Sequence, residues 1–295
     1  MELHQLRYFV AVAETGNFTR ASERSNVSQP SLSQQIINLE QELSHKLFHR
    51  LGRKAVLTEA GSVFLERARR ILFEVDDSTR ELQDSPGLER KITIGAITTL
   101  APYLIPQLLA LCKTRLPHLQ VHLREDFRPD LTKAVLDGEL DLAIVSLPVK
   151  DTQISVEPLF DETLMLVVGK SHPLAGKPIV TREDLADQTF ILLGSGSSLA
   201  GQIRRFCGDH NFEPKIGYHC AQVATVKALV ALGAGISILP QIALDPEDRS
   251  RLIVKTFADR NPTRQIGIIR HMQRYQSLGA EQFIGLLREH VKKPG

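Results

Sequence analysis

The sequence has few cysteines, no long apolar run and little net charge, and each absence narrows the possible protein classes. Three cysteines among 295 residues argue against a disulfide framework and favour a reducing compartment. No stretch reaches the eighteen or more apolar residues of a membrane span, and the first residues lack the basic-then-apolar order of a secretion signal. We therefore expect a cytoplasmic protein of about two compact domains.

The net charge of +2 does not decide whether nucleic acid is a partner, so an argument for DNA binding depends on where the charges lie. Residues 46–54 contain Lys46, Arg50, Arg53 and Lys54 and no acidic residue. A basic tip of this kind supplies phosphate or minor-groove contacts, which give affinity and register.

Apolar residues at helical spacing predict three short helices, over residues 3–15, 18–25 and 29–43. Ser28 is an N-cap candidate for the third, and Pro30 lies in its first turn, where a missing N–H costs little.

The outward face of the third helix is polar but uncharged. Its side chains can both donate to and accept from base edges, and they are Gln29, Ser31, Ser33 and Gln34. This pattern favours a helix-turn-helix whose second helix enters the major groove. The alternative is a helical subdomain with a polar surface.

Two further elements follow. Short apolar segments flank Gly52 and the basic tip, which predicts a hairpin over residues 47–57. Thr58 then caps a long helix of about 28 residues, whose apolar stripe needs a partner. A second copy of the helix is the simplest partner, and packing within one chain is the alternative. Residues 84–87, Asp-Ser-Pro-Gly, end this helix and mark a domain boundary.

From Arg90 onward, short β-rich runs alternate with helices, which predicts an α/β domain with parallel sheets and two lobes. The predicted strands cover residues 91–97, 121–125, 140–146, 164–168, 190–193, 236–239 and 265–269. The predicted helices cover residues 103–116, 130–136, 199–210, 224–232 and 278–291.

Ligands of open α/β sheets bind beyond the carboxyl ends of strands, where Thr98, Thr99 and Ser146 lie. Residues 194–198, Gly-Ser-Gly-Ser-Ser, precede a helix and offer N–H groups and hydroxyls to an anion. Each of these features has a plain alternative as a cap or a loop.

The cysteines suggest little chemistry. A zinc site that uses Cys207, His210, His219 and Cys220 is disfavoured, because neighbouring side chains on a strand point to opposite faces. Cys207 lies beside Arg204 and Arg205, which are expected to lower the pKa of its thiol and make it a redox candidate. A buried structural thiol is the alternative.

Along its whole length the chain resembles the LysR-type transcriptional regulators. The amino-terminal motifs that carry this resemblance are Leu6-Arg7-Tyr8-Phe9, Phe18-Thr19-Arg20-Ala21-Ser22, Val27-Ser28-Gln29-Pro30-Ser31-Leu32-Ser33, Ile37-Asn38-Leu39-Glu40, Leu47-Phe48-His49-Arg50 and Leu57-Thr58-Glu59-Ala60-Gly61.

The resemblance implies an α/β fold class with an N-terminal winged helix-turn-helix (residues 1–57), a dimerising linker helix (58–87) and an effector-binding domain (90–295) of the periplasmic-binding-protein type. Lobe I is expected over residues 90–161 and 268–295, and lobe II over 162–267. The resemblance also implies a homotetramer on promoter DNA, in which a small-molecule effector between the lobes changes tetramer shape, DNA bending and the recruitment of RNA polymerase.

Within that family, the effector domain looks most like the peroxide-sensing OxyR group. The stretches that carry this likeness are Tyr103-Leu104, Pro158-Leu159-Phe160-Asp161-Glu162, Phe206-Cys207 and Gly235-Ile236-Ser237-Ile238-Leu239-Pro240. Cys207 matches the second cysteine of that group.

The position of the peroxide-attacking cysteine holds Ser198, and the histidine before it is replaced by Ser197. Thr99 matches one peroxide-placing threonine, whereas Arg128 replaces the other. A hydroxyl is not ionised at neutral pH and cannot reduce peroxide as a thiolate does. The chain is therefore either a relative that senses a small molecule or an OxyR-type redox sensor in which Ser198 replaces the reactive cysteine, naturally or by engineering.

These patterns together predict a regulator and not an enzyme, without metal or cofactor, since a hydrolase using Ser198 lacks a recognisable base. The predicted DNA-binding residues are Gln29, Pro30, Ser31, Ser33, Gln34, Arg50, Arg53 and Lys54. The predicted effector-binding residues are Thr98, Thr99, Arg128, Ser146, Ser197, Ser198 and Thr225. Arg128 suggests an anionic effector, since a guanidinium pairs bidentately with a carboxylate.

Overall fold

The computed structural model describes residues 1–52, 54–83, 90–194, 196–209, 212–258 and 260–292. The chain divides into two compact units, Met1–Ser85 and Pro86–Gly295. The predicted boundary at residues 84–87 and the predicted DNA contact Arg53 lie outside the described residues. None of the described helices is long and apolar enough to cross a membrane.

The amino-terminal unit begins with three helices, α1 (Leu3–Thr15), α2 (Phe18–Arg24) and α3 (Gln29–Glu42). This confirms the predicted helices to within one residue at each end. Gly16 ends α1 with a left-handed φ of 62°, and the Asn17 side chain accepts hydrogen bonds from the first N–H groups of α2. The Ser28 hydroxyl caps α3 by accepting from the N–H of Ser31.

A small hairpin and a long helix complete this unit. Strands β1 (Phe48–Leu51) and β2 (Lys54–Leu57) pair antiparallel, as predicted. Helix α4 (Glu59–Gln83) has 25 residues, and the Thr58 hydroxyl accepts a hydrogen bond from the N–H of Gly61 in its first turn. The ring of Phe9 lies 5.3 Å from that of Phe48 and 5.2 Å from that of Phe64, so one aromatic cluster joins α1, the hairpin and α4.

The Pro86–Gly295 unit is built on a seven-stranded sheet of the described residues, with a two-stranded sheet beside it. The strands of the large sheet are β3 (Arg90–Ile97), β4 (Leu119–Asp126), β5 (Leu142–Ser146), β6 (Ile154–Gly169), β9 (Ser237–Pro240), β10 (Leu252–Lys255) and β11 (Thr263–His271). The small sheet pairs β7 (Thr189–Leu193) with β8 (Lys215–Cys220).

The prediction of parallel sheets is only partly right. Strand β3 runs parallel to β4 and β5, and β7 runs parallel to β8. Strand β11, however, is antiparallel to both β5 and β6, and β6 is antiparallel to β9 and β10. The reason is that β6 and β11 pass between two lobes as an antiparallel pair, which alternation of strands and helices does not reveal.

Each lobe has its own apolar core. One core lies under β3, β5, α5 (Ala101–Arg115), α6 (Arg128–Leu136) and α9 (Leu278–Lys292). The other lies under β7, the second half of β6, α7 (Ser198–Gly208) and α8 (Val223–Ala231). These helices confirm the predicted ones to within about two residues. The groove between the lobes is therefore lined by residues from two separately packed bodies.

Candidate DNA-reading surface and effector cleft

The predicted DNA-reading residues of α3 lie together on one outer face. Gln29, Pro30, Ser31 and Gln34 are exposed, while Ser33 is partly buried. The opposite face packs into the core of the unit through Leu32, Ile36 and Leu39, each with no exposed surface. Burial of these three residues fixes the rotation of α3 about its axis, so its polar face already points to solvent.

The hairpin contacts this helix through Arg50. The Arg50 guanidinium donates to the Ser33 hydroxyl at 3.0 Å and lies over the Phe18 ring, 4.6 Å from its centroid. Arg50 is otherwise exposed, so the guanidinium N–H groups that Ser33 does not accept from face solvent. Lys54, on the second strand of the hairpin, is also exposed. The structure therefore brings Arg50 to the edge of α3 and holds it there by a ring contact and a hydrogen bond.

A buried carboxylate, which the sequence reasoning did not single out, fixes where the hairpin begins. Glu40 accepts hydrogen bonds from the backbone N–H groups of Leu47 (2.9 Å) and Phe48 (3.2 Å) and from the Lys46 ammonium (2.9 Å). Burial alone raises the pKa of Glu40, but these three donors outweigh it and hold the pKa below its ordinary value. The end of α3 and the start of the hairpin are thus tied together.

In the second unit, polar contacts within lobe I and between the lobes meet at the carboxyl end of β5. The Gln202 amide on α7 donates to the Ser146 hydroxyl at 2.9 Å. The Arg128 guanidinium, at the start of α6, donates to the carbonyls of Ser146 (3.2 Å) and Pro148 (3.1 Å). The predicted residues Arg128 and Ser146 are therefore brought together, and Gln202 joins them from the other lobe.

A groove of about 380 Å³ opens beside these contacts. Its lining comes from both lobes and consists of Leu147, Pro148, Leu164, Gln202, Ile203, Arg205, Phe206, Asp209, Pro262, Thr263, Arg264 and Gln265. The predicted effector residues are not part of this lining. Arg128 and Ser146 instead contact two residues that do line it. Arg128 donates to the Pro148 carbonyl, and Ser146 accepts from the Gln202 amide.

Three arginines lie in this region: Arg264 pairs with Glu162, whereas Arg128 and Arg205 have no ion-pair partner among the described residues. Burial lowers the pKa of Arg128, and the nearby charge of Arg205 lowers it further. Asp209 also lines the groove but forms an ion pair with neither arginine among the described contacts, and two neighbouring like charges favour an anion.

Thr99 makes a contact that its position in the sequence did not suggest. Its hydroxyl accepts a hydrogen bond at 2.7 Å from Arg264, whose Nε donates at 2.7 Å to the Glu162 carboxylate. The side chains of Arg264 and Glu162 are 0% and 5% exposed. Sequence reasoning missed this ion pair, which lies where β6 and β11 cross between the lobes, because its members are 102 residues apart.

The remaining predicted effector residues are dispersed. Ser197 is buried at the N-cap position of α7, and Ser198 is the first residue of that helix. The loop before them approaches the other lobe, because a Cβ on Gly196 would lie 3.1 Å from the Phe127 ring. Thr225 is exposed on α8 and does not line the groove. Thr98 is partly buried at the end of β3, and its hydroxyl has no partner among the described residues.

The expectation that Arg204 and Arg205 activate Cys207 is wrong. Cys207 is fully buried in the lobe core, and burial raises the pKa of its thiol to about 12. Both arginines are exposed, so water screens their charges from the thiol. Cys112 and Cys220 are buried free thiols as well.

Comparison with known families agrees with both units. Residues 3–62 match the bacterial regulatory helix-turn-helix protein model of the lysR family. Residues 85–292 match the LysR substrate binding domain.

Individual relatives extend over nearly the whole chain. The DNA-binding transcriptional dual regulator OxyR of Escherichia coli is 34% identical and is aligned over 91% of this chain and 89% of its own. A full-length OxyR variant from Pseudomonas aeruginosa has a similar structure, with a TM-score of 0.77 at 30% identity over 99% of this chain and 95% of its own. Full-length CbnR in a complex with its target DNA has a TM-score of 0.69 at 26% identity, over 98% and 99% of the two chains.

Proposed function

The chain belongs to the LysR family of transcriptional regulators, and from that premise we propose that α3 and the hairpin read promoter DNA while the lobes bind a small anion. In this proposal residues 1–57 form the DNA-binding domain, 58–87 the linker helix and 90–295 the effector domain, with lobe I over 90–161 and 268–295 and lobe II over 162–267.

The DNA-reading part of the proposal assigns base contacts and backbone contacts to different elements. The exposed α3 residues Gln29, Ser31 and Gln34 meet base edges, and Pro30 and Ser33 line the same face. Arg50, Arg53 and Lys54 contact phosphates or the minor groove, which gives affinity without sequence information. The contact of Arg50 with Ser33 supports this division, because it sets the cationic tip at a fixed distance from the reading face.

The effector class rests on one observation, the two neighbouring guanidiniums of Arg128 and Arg205, which have no ion-pair partner among the described residues. Nη1 of Arg128 donates to both carbonyls. The other N–H groups of the planar guanidinium are therefore left for a ligand. Arg205 lies on the opposite lobe and lines the groove. An anion between them relieves their repulsion and joins the lobes.

The test uses the full-length chain and a panel of small carboxylates and inorganic phosphate, screened by the shift in melting temperature. We expect an anion that stabilises the parent chain and loses at least tenfold in affinity in Arg128→Gln. The matched control is Arg115→Gln, an exposed residue of α5 that pairs with Glu289, and its affinity should equal that of the parent. Equal binding by Arg128→Gln and the parent contradicts the proposal.

We further propose the assembly and output that the family implies. The chain acts in the cytoplasm as a homodimer or homotetramer on DNA, and effector binding changes the DNA bend and the recruitment of RNA polymerase. It does so without enzymatic turnover and without a metal or cofactor.

The redox alternative has less support. It needs a thiolate that peroxide can reach, whereas Ser198 carries a hydroxyl and Cys207 is buried with a raised pKa. Both residues also lie on α7, so their nine-residue separation spans about 13 Å along the helix, far beyond the Cα separation of a disulfide. Intact mass after stoichiometric peroxide, unchanged under this proposal, separates the two candidates.

A further inference from the structure

Gln202 makes one of the polar contacts between the two lobes, and only half of its amide is satisfied among the described residues. Its Nε2 donates to Ser146, whereas its Oε1 is buried and has no hydrogen-bond partner among the described residues. A buried acceptor without a donor is destabilising. Gln202 also lines the groove, so a ligand there can reach the region of this amide.

A second unsatisfied polar atom, a hydroxyl, lies close by in the fold. Strands β3 and β5 run parallel, and Ala96 is the register partner of Ile144. Two residues further along the neighbouring strands are Thr98 and Ser146, at the same carboxyl edge of the sheet. The Thr98 Oγ1 is buried without a described partner, so two unsatisfied polar atoms flank the Ser146 position.

The chemistry of these atoms adds a requirement to the anion. Gln202 Oε1 only accepts, so it selects a ligand that donates. Arg128 and Arg205 disfavour an ammonium as the donor, since it would add a third positive charge. A hydroxyl is neutral and can donate to Gln202.

We propose that the effector of this cleft is a hydroxycarboxylate, whose carboxylate is held by Arg128 and Arg205 and whose hydroxyl donates to Gln202. This inference rests on the proposed anion site. The apolar lining from Leu147, Ile203 and Phe206 accommodates a hydrocarbon portion of the same molecule.

The experiment compares matched ligand pairs that differ by one hydroxyl: lactate with propionate, malate with succinate, and 3-phenyllactate with 3-phenylpropionate. Calorimetric titration of the full-length chain measures each dissociation constant. We expect at least one hydroxy acid to bind about tenfold more tightly than its partner, the value of one good hydrogen bond to an otherwise unpaired group.

Two variants test whether Gln202 causes the preference for the hydroxy acid. Gln202→Leu and Gln202→Met should bind both members of the pair nearly equally, because leucine accepts no hydrogen bond and the methionine sulfur is only a weak acceptor. Gln153→Leu, at an exposed turn, is the control and should keep the preference. Arg128→Gln should weaken both members of the pair by the same factor.

The outcomes separate the two proposals. If both members of every pair bind equally to the parent and Arg128→Gln weakens both, the hydroxyl inference is overturned while the anion site stands. If a hydroxyl preference persists in both Gln202 variants, the assignment to Gln202 is overturned. If no pair binds at millimolar concentration, the hydroxycarboxylate inference is overturned, and the anion site then depends on the remaining anions of the screen.

Discussion

Replacing Arg264 with methionine should destabilise the Pro86–Gly295 unit far more than the same replacement of an arginine in an exposed ion pair. The Arg264 side chain has no exposed surface and lies 2.7 Å from the Glu162 carboxylate, which is 5% exposed. Arg264→Met leaves that carboxylate buried with only the N–H of Ile242, at 3.3 Å, as a described donor. Removing one member of a buried pair costs about 3–5 kcal/mol.

The double variant checks the expected loss of unfolding free energy. Glu162→Leu with Arg264→Met removes both charges and replaces them with apolar volume, which is often neutral or stabilising by about 1–4 kcal/mol. We therefore expect each single variant to be less stable than the double variant. Arg288→Met is the control, because Arg288 pairs with Glu157 at the surface and is 49% exposed, so its loss should cost at most about 1 kcal/mol.

Urea unfolding followed by circular dichroism measures these changes, since the chain has no tryptophan for fluorescence. Hydrogen exchange of peptides from β6 and β11 assigns the transition to the second unit. If Arg264→Met costs no more than Arg288→Met, or if the double variant loses the sum of the two single losses, the reasoning from burial is wrong.

Three further outcomes follow from the contacts described above. Glu40→Ala should lower the free energy of unfolding of the first unit by about 3 kcal/mol at pH 7, since the N–H groups of Leu47 and Phe48 lose their acceptor. Because the pKa of Glu40 lies below its ordinary value of about 4, its stabilisation is complete above that value and is lost as the pH falls through the lowered pKa; an unchanged difference between variant and parent in urea unfolding at pH 3 would contradict this. Arg50→Gln should reduce the slope of log affinity against log salt by about one in a DNA shift assay, and an unchanged slope would exclude a phosphate contact. Cys207 should resist an aromatic disulfide reagent in the folded chain and react once urea unfolds the lobe; rapid modification of the folded chain, located by peptide mass, would refute the raised thiol pKa.

Helices were the easiest elements to predict, because each combines a periodic apolar face with a local start or stop signal. Helix α3 has a Ser28 cap, a proline in its first turn and buried leucines at helical spacing. Strand β8 was not predicted, since its residues are mostly exposed and lack alternation. The first half of β6 was also missed: the predicted strand began at residue 164, yet β11 pairs with β6 from Ile154 to Thr163.

The candidate site could be predicted only where its chemistry is local. Ser146 ends a strand, so the carboxyl-edge rule found it, whereas Arg128 was selected through the resemblance to the OxyR group. Gln202 and Arg264 reach the same region from elements far away in sequence, and nothing in their neighbourhood marks them as polar contacts between lobes. Thr99 was selected for its position, but its hydroxyl is occupied by Arg264, which only the three-dimensional pairing reveals.

The order of the strands along the chain has a consequence for synthesis. Lobe I takes its strands β3 to β5 from early residues, but β11 (Thr263–His271) and α9 (Leu278–Lys292) come after the whole of the other lobe. Domains generally fold as units, amino-terminal first, as they leave the ribosome. The Met1–Ser85 unit is complete before any of this begins, whereas lobe I must wait for nearly the last residue. A nascent or carboxyl-terminally truncated chain therefore contains a folded DNA-binding unit before it contains a working sensor, so premature termination should yield a reader of DNA that no effector controls.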